Sequence, residues 1–363
     1  ASTATINVLA NATLFVAATT PHTASLMLNG GDTGESIGQL RLDSGAVWSG
    51  PITLAGAITG AGDTTVGSFT GTGTISGNIG ETGGAQALSK SGAGNIVLSG
   101  TNSYTGLTTV AAGAIIAGSN SALGTTDAGT VVTNATSLRL ANGITIPAIP
   151  LNLRGTGANN GTAGNFSGGL TTADNASATW SGSVTLGDSN ARIGSGNNGT
   201  LHLSGPILGS GANQSLSLSS GSSTTLGTVV LSGANNFTGN ISIVRGNLRL
   251  GAANTLPATA ILDVGSANIV ENTTFDLAGF SQSLAGLRRT STNATQASTV
   301  TNSSATAATL TRDVRYVASG SGANVNALSI DAAGFMLSAT FAINYRSSGK
   351  AYTQSITVTR ATP

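Results

Sequence analysis

Val97-Leu98-Ser99-Gly100-Thr101-Asn102-Ser103-Tyr104-Thr105-Gly106 reappears as Val230-Leu231-Ser232-Gly233-Ala234-Asn235-Asn236-Phe237-Thr238-Gly239, an offset of 133 (97 to 230). A second pair stands in almost the same register. Ala46-Val47-Trp48-Ser49-Gly50-Pro51-Ile52-Thr53-Leu54 returns as Ala178-Thr179-Trp180-Ser181-Gly182-Ser183-Val184-Thr185-Leu186, an offset of 132 (48 to 180). The only two tryptophans of the chain are matched by this shift. Self-similarity at two separated motifs marks a repeat architecture. It divides residues 20–311 into two tandem cassettes, about 46–177 and 178–311.

Within each cassette the text is short alternating runs cut by Gly, Asn or Asp. Asn95-Ile96-Val97-Leu98, Leu201-His202-Leu203, Ser215-Leu216-Ser217-Leu218 and Asn247-Leu248-Arg249-Leu250 are examples. Alternation with β-branched residues reads as strand, and the Gly and Asn breaks read as turns. No stretch has helical periodicity. Short, evenly spaced strands suit a sandwich, a barrel or a β-helix. Small residues, few aromatics and a long internal repeat favour the β-helix, whose inward side chains must fit between coils ~4.8 Å apart. The fold expected is all-β: a parallel β-solenoid with a small C-terminal antiparallel β module. Trp48 and Trp180 should then lie on corresponding faces, and Val97 and Val230 should point into the core.

Composition narrows the function. Only 7% of the 363 residues are charged and net charge is +1, with no basic run of three. That speaks against nucleic acid and against an electrostatic membrane patch. There is no Cys, which removes disulfide and thiolate chemistry. No apolar run reaches the ~20 residues of a membrane helix. Ala1 at the start suggests a mature N-terminus left by signal-peptide removal.

Ser89-Lys90-Ser91-Gly92-Ala93-Gly94-Asn95-Ile96-Val97-Leu98-Ser99-Gly100-Thr101-Asn102-Ser103-Tyr104-Thr105-Gly106, followed by Thr108-Thr109-Val110 and Ala112-Gly113-Ala114, resembles the autotransporter-associated β-strand repeat. The second copy keeps Leu231 to Gly239 but has no upstream lysine. Thr274 to Leu284, with Val300 to Ser304, is similar to the segment that follows such repeats. The resemblance covers roughly 46–311 and implies a right-handed β-helix, secreted to or displayed on a bacterial cell surface. A self-contained autotransporter also ends in a membrane barrel, which needs many ~10-residue strands. Only about 50 residues follow the second cassette, so the chain reads as a cleaved passenger or as a protein using these repeats without its own barrel.

The ends differ from the middle. Ile6, Val8, Ala10, Ala12, Leu14 and Val16 all sit at even positions, with Asn7, Asn11 and Thr13 among the residues between them, and read as one long strand within an extended segment 1–19. In segment 312–363, Phe335, Leu337, Phe341, Ile343 and Tyr345 alternate before the turn Ser347-Ser348-Gly349-Lys350. Tyr352, Ile356 and Val358 then return, as in a hairpin with one apolar face. Both ends resemble, over a few residues, those of donor-strand fimbrial subunits. Two readings stay open: each end caps its own solenoid, or the N-terminal strand joins the hairpin of the next copy, a head-to-tail contact that builds an open filament. In the second reading the partner is the chain itself, and the residues named above are the subunit contact.

Candidate chemistry is sparse. Gly187-Asp188-Ser189-Asn190 looks like an esterase nucleophile block, but no His follows His202 to take the serine proton. In Gly31-Asp32-Thr33-Gly34-Glu35 a threonine stands where a protease nucleophile loop has serine. His22 and His202 have no ligand-spaced partner, and the 13 acids are scattered singly, against the paired carboxylates of glycosidases. No catalytic residue, metal site or cofactor is expected. The reading is a structural subunit of an extracellular fibre or surface assembly. An adhesin passenger binding surface glycans or host proteins, and a carbohydrate-active β-helix, are the alternatives.

Overall fold

Runs of three or four residues with one apolar side are too short for a stable helix but long enough for one rung of a coil. In the computed structural model every described element is a strand. It describes residues 4–31, 34–56, 63–127, 129–157, 168–188, 191–220, 225–265, 271–293, 295–312, 314–315, 329–330, 339–347 and 350–358, with backbone alone from 312 onward.

The chain winds through about 11 turns of a parallel β-solenoid. Where a coil has all three strands, it visits three sheets in a fixed order. The first holds Thr5–Val8, Ser25–Leu28, Ile52–Leu54 and Ile79–Glu81. The second runs from Leu14–Val16 through Leu40–Leu42, Thr64–Gly67, Leu88–Ser91 and Thr108–Val110 to Ile207–Gly209. The third runs from Val47–Trp48 through Thr72–Ile75, Asn95–Leu98, Ala114–Ala117, Ser137–Leu140 and Leu170–Thr172 to Gly286–Arg288. From Thr145–Ile146 a new sheet takes the first sheet's place in the coil and continues through Ser177–Trp180, Thr200–Leu203 and Thr228–Leu231. Ile241–Leu250 turns a corner unbroken and pairs in both of these last sheets.

Side chains stack because the pairing is in register. Ile96, Ile115, Leu138, Leu170, Ile193, Leu218, Ile243 and Val264 form one inward column across eight coils. Each is at most 1% exposed. This column replaces the expected inward Val97, which faces outward and is half-buried. Ile96, Val97 and Leu98 are all apolar, so alternation alone does not choose the inward pair. Val230 is buried, as expected, at 8% exposure, but on the outward row between His202 and Arg249, while Val229 and Leu231 point in.

The tryptophans are both buried, Trp48 at 1% and Trp180 at 0% exposure, but not on corresponding faces. Five steps up the third sheet from Trp48 lead to Leu170–Thr172. Trp180 sits on the next strand, Ser177–Trp180. The second copy of the repeat is therefore turned one face round the solenoid. A residue offset near 132 does not correspond to a whole number of these unequal coils.

The N-terminal run is likewise not one strand. Thr5–Val8 pairs with Ser25–Leu28 and Leu14–Val16 pairs with Leu40–Leu42, on different sheets. Between them Asn11 takes φ 60°, and its N–H donates to Gly30 O at 3.1 Å. Asn tolerates this left-handed conformation better than most residues, so the segment bends into a first coil.

At 339–358 the backbone of Ala339–Ser347 pairs antiparallel with Lys350–Val358, and Val314–Arg315 pairs with Ile343 and Asn344.

Candidate functional site

The repeat's signature residues occupy the interior and corners of the coil. Lys90 stacks between Val66 and Val110 in an inward aliphatic column and is 0% exposed. Its Nζ donates to Ser91 O at 2.8 Å, Gly92 O at 2.7 Å and Ala112 O at 2.9 Å. An ammonium has three hydrogens, and here each has a carbonyl acceptor. The lysine thus ties its own corner to that of the coil above. Burial in this column pushes its amine down to about 7, from 10.5.

Asn102 and Asn235 do the same work at another corner, in both copies. Asn102 Oδ1 accepts from Ile79 N–H at 2.9 Å, and Nδ2 donates to Ala122 O at 2.7 Å. Asn235 Oδ1 accepts from Ile207 N–H at 2.7 Å, and Nδ2 donates to Thr255 O at 2.8 Å. Each asparagine bridges three successive coils. Tyr104 and Phe237 fill matching positions at 0% and 2% exposure. The Tyr104 hydroxyl is 2.8 Å from Thr108 Oγ1.

The passenger-associated-transport-repeat family matches residues 88–117 and 226–250. Two segments of the chain are thus similar to the passenger-associated transport repeat. Lys90 and Asn102 lie in the first match and Asn235 in the second, so the residues that join coil to coil are the repeat's own. The repeat family implies a secreted or cell-surface protein. A comparison with curated proteins gave no match, and neither did one with solved structures. No described helix is long and apolar enough to cross a membrane.

The third sheet also bears a polar groove of about 420 Å³, lined by Thr156, Arg192, Ser215, Ser217, Ser242, Asp263, Arg288 and Thr290, among others. Asp263 is 1% exposed. Its carboxylate accepts from Arg288 Nε at 3.1 Å, Thr290 N–H at 3.1 Å and the Thr290 hydroxyl at 2.7 Å. Sequence reading missed this site because its members lie about one coil apart in the chain. The recurring Ser at outward strand positions was the only signal.

The residues proposed for subunit contact are not gathered. Val8 and Val16 enter the core at 6% exposure, Ile6 is 41% exposed, and Leu14 packs partly against the core. Ala10 and Ala12 sit at the first corner. Phe335 and Leu337 lie outside the described residues. Phe341 stands opposite Ile356, Tyr345 opposite Tyr352, Val358 opposite Ala339 and Ile343 opposite Gln354, in backbone register. Exposed aromatics do occur. Phe15 and Phe69, 52% and 59% exposed, flank the Arg41 guanidinium at 4.6 and 5.5 Å, and Arg41 pairs with Glu35 and Asp43.

Among the motifs weighed for chemistry, Asp188 accepts from Gly155 N–H at 2.8 Å, while Ser189, Asn190, Asp32 and Thr33 lie outside the described residues. His22 stacks on Trp48, with ring centroids 5.7 Å apart. His202 is pushed down by burial and then by Arg249. No three metal-ligating side chains gather among the described residues.

A pH test follows from Lys90. The folded value near 7 lies below the unfolded one, so between them the unfolded chain binds more protons. Stability should therefore rise from about pH 7 toward pH 10. Lys90→Met should flatten that rise in urea melts followed by circular dichroism. Equal slopes in both proteins would contradict the assignment.

Proposed function

We propose that this chain is the passenger region of an autotransporter-type surface protein, acting as a non-enzymatic scaffold. The observation that carries this is the placement of both passenger-associated transport repeats within the parallel solenoid, where they join neighbouring coils. The fibre-subunit reading finds no such support: the N-terminal residues belong to a first coil paired with its own chain.

A parallel solenoid suits this role because each coil contacts only its neighbours, and its length grows by ~4.8 Å per turn. The scaffold carries no catalytic duty in this reading. The buried acids Asp43, Asp263 and Asp276 are paired with Arg41, Arg288 and Arg249.

The test is display. The chain fused between a secretion signal and an outer-membrane barrel should become accessible to protease added outside intact cells. Retention in the periplasm would overturn the passenger reading. The purified chain should turn over no ester, peptide or polysaccharide substrate. Turnover abolished by changing one Asp or Glu would overturn the non-enzymatic part.

A further inference from the structure

Arg192, Ser217, Ser242, Asp263 and Arg288 stand directly above one another on five successive coils. Four coil steps of ~4.8 Å make this row ~19 Å long. The row forms the bed of the polar groove, with an arginine at each end. We propose that this groove binds a linear acidic oligosaccharide.

The argument starts from what the groove's groups already do. Asp263 is spent internally on Arg288 and Thr290 and serves to hold Arg288. Arg288 gives Nε to that carboxylate, and its side chain remains 43% exposed. Its guanidinium therefore faces the groove already oriented, which lowers the entropy cost of gripping a carboxylate or sulfate. Arg192 is braced by the next coil, its Nε donating to Ser217 Oγ at 3.4 Å. Two arginines and one carboxylate line the groove, an excess of positive charge. Burial, and then the like charge of Arg245, push Arg192 below the usual guanidinium range.

Between the cations lie hydroxyls. Ser242 lies midway along the row, and Thr156 and Ser215 stand beside it on the groove wall. A chain with charge at intervals and hydroxyls between matches that sequence of donors. A single small anion would use one end only. An extended peptide is a poorer fit, because peptide sites typically offer a sheet edge or side-chain pockets. This bed runs across the face of five stacked strands rather than along an edge. The lining includes no aromatic ring on which an uncharged sugar would stack. The proposal goes beyond the passenger reading and does not depend on it.

Isothermal titration of the purified chain tests it, using galacturonate and heparin octasaccharides as two sources of negative charge. Maltooctaose, octaglutamate and sodium sulfate are the comparators. At least one acidic octasaccharide should bind, more weakly as salt rises. Arg288→Gln should weaken that binding about tenfold, and Ser242→Phe should block the bed. Arg249→Gln, an exposed cation on the adjacent sheet, should leave binding unchanged. Asp263 keeps its Thr290 contacts in Arg288→Gln, and unchanged melting of each variant confirms folding. The proposal fails if neither acidic octasaccharide binds, if octaglutamate or sulfate binds as tightly, or if Arg288→Gln and Ser242→Phe bind like wild type. Loss of binding with intact surface display would separate this failure from that of the passenger reading.

Discussion

Leu138→Asp should abolish folding at neutral pH, whereas Val97→Asp should melt within a few degrees of wild type. Leu138 is 0% exposed, stacked between Ile115 and Leu170 in the eight-coil column. An aspartate there meets only apolar neighbours along the column. A desolvated, unpaired carboxylate costs several kcal/mol even after its pKa shifts, and the lost leucine contacts add about 2–5 kcal/mol. The total rivals the ~5–15 kcal/mol by which domains are stable. Val97 sits two coils below and one residue out of phase, on the half-buried row with Thr74 and Ile116. A carboxylate there keeps its water. Urea denaturation of the two variants reads the difference. Equal destabilisation would mean that the inward row is misassigned.

Gly205→Val should be nearly as damaging, through backbone rather than core. A Cβ at Gly205 would lie 2.1 Å from Gly182 O, and one at Gly233 would lie 2.1 Å from Gly205 O. Gly77 and Gly100 repeat this relation in the first cassette, at 1.8 Å from Gly50 O and 2.2 Å from Gly77 O. These are the Ser-Gly pairs of the sequence. Each set forms its own column, at a corner where one coil's backbone rests on the next. A valine must push two coils apart, so neighbouring rungs lose hydrogen bonds together. We expect a loss of at least ~3 kcal/mol, beyond the usual cost of overpacking a side chain. Gly80→Ala is the control, since its Cβ would meet nothing closer than Ser103 Oγ at 3.6 Å. If both variants melt alike, the glycine column does not set coil spacing.

The class of fold was readable because it depends on alternation, small residues and repetition, all local in the text. The motif around Asn102 and Asn235 pointed to the repeat family, although only the structure shows each amide spanning three coils. What escaped depends on how unequal coils stack. The steps from Val97 to Ile116 and from Val230 to Arg249 are each a single coil. The step from Arg139 to Thr171, also one coil, is much longer. No periodicity survives such variation, so the facing of Trp180 was not readable. Val97 was misplaced because three apolar residues in a row carry no phase. The N-terminal bend rests on one left-handed asparagine, Asn11. The groove is legible only after Arg192 and Arg288 are brought to one face by four turns of winding.

Because the chain has no Cys, engineered pairs can report the winding directly. Val97 and Ile116 are register partners on neighbouring coils, both half-buried on the outer face. Adjacent parallel strands hold their Cα atoms ~4.8 Å apart, within the 4.4–6.8 Å that a disulfide spans. Oxidation of the Val97→Cys, Ile116→Cys protein should give an intramolecular disulfide in high yield, found by mass spectrometry of tryptic peptides. The Val97→Cys, Ile115→Cys protein should give little, because its second thiol points into the core. Efficient bridging in the second protein and none in the first would contradict the parallel, in-register solenoid on which the whole account stands.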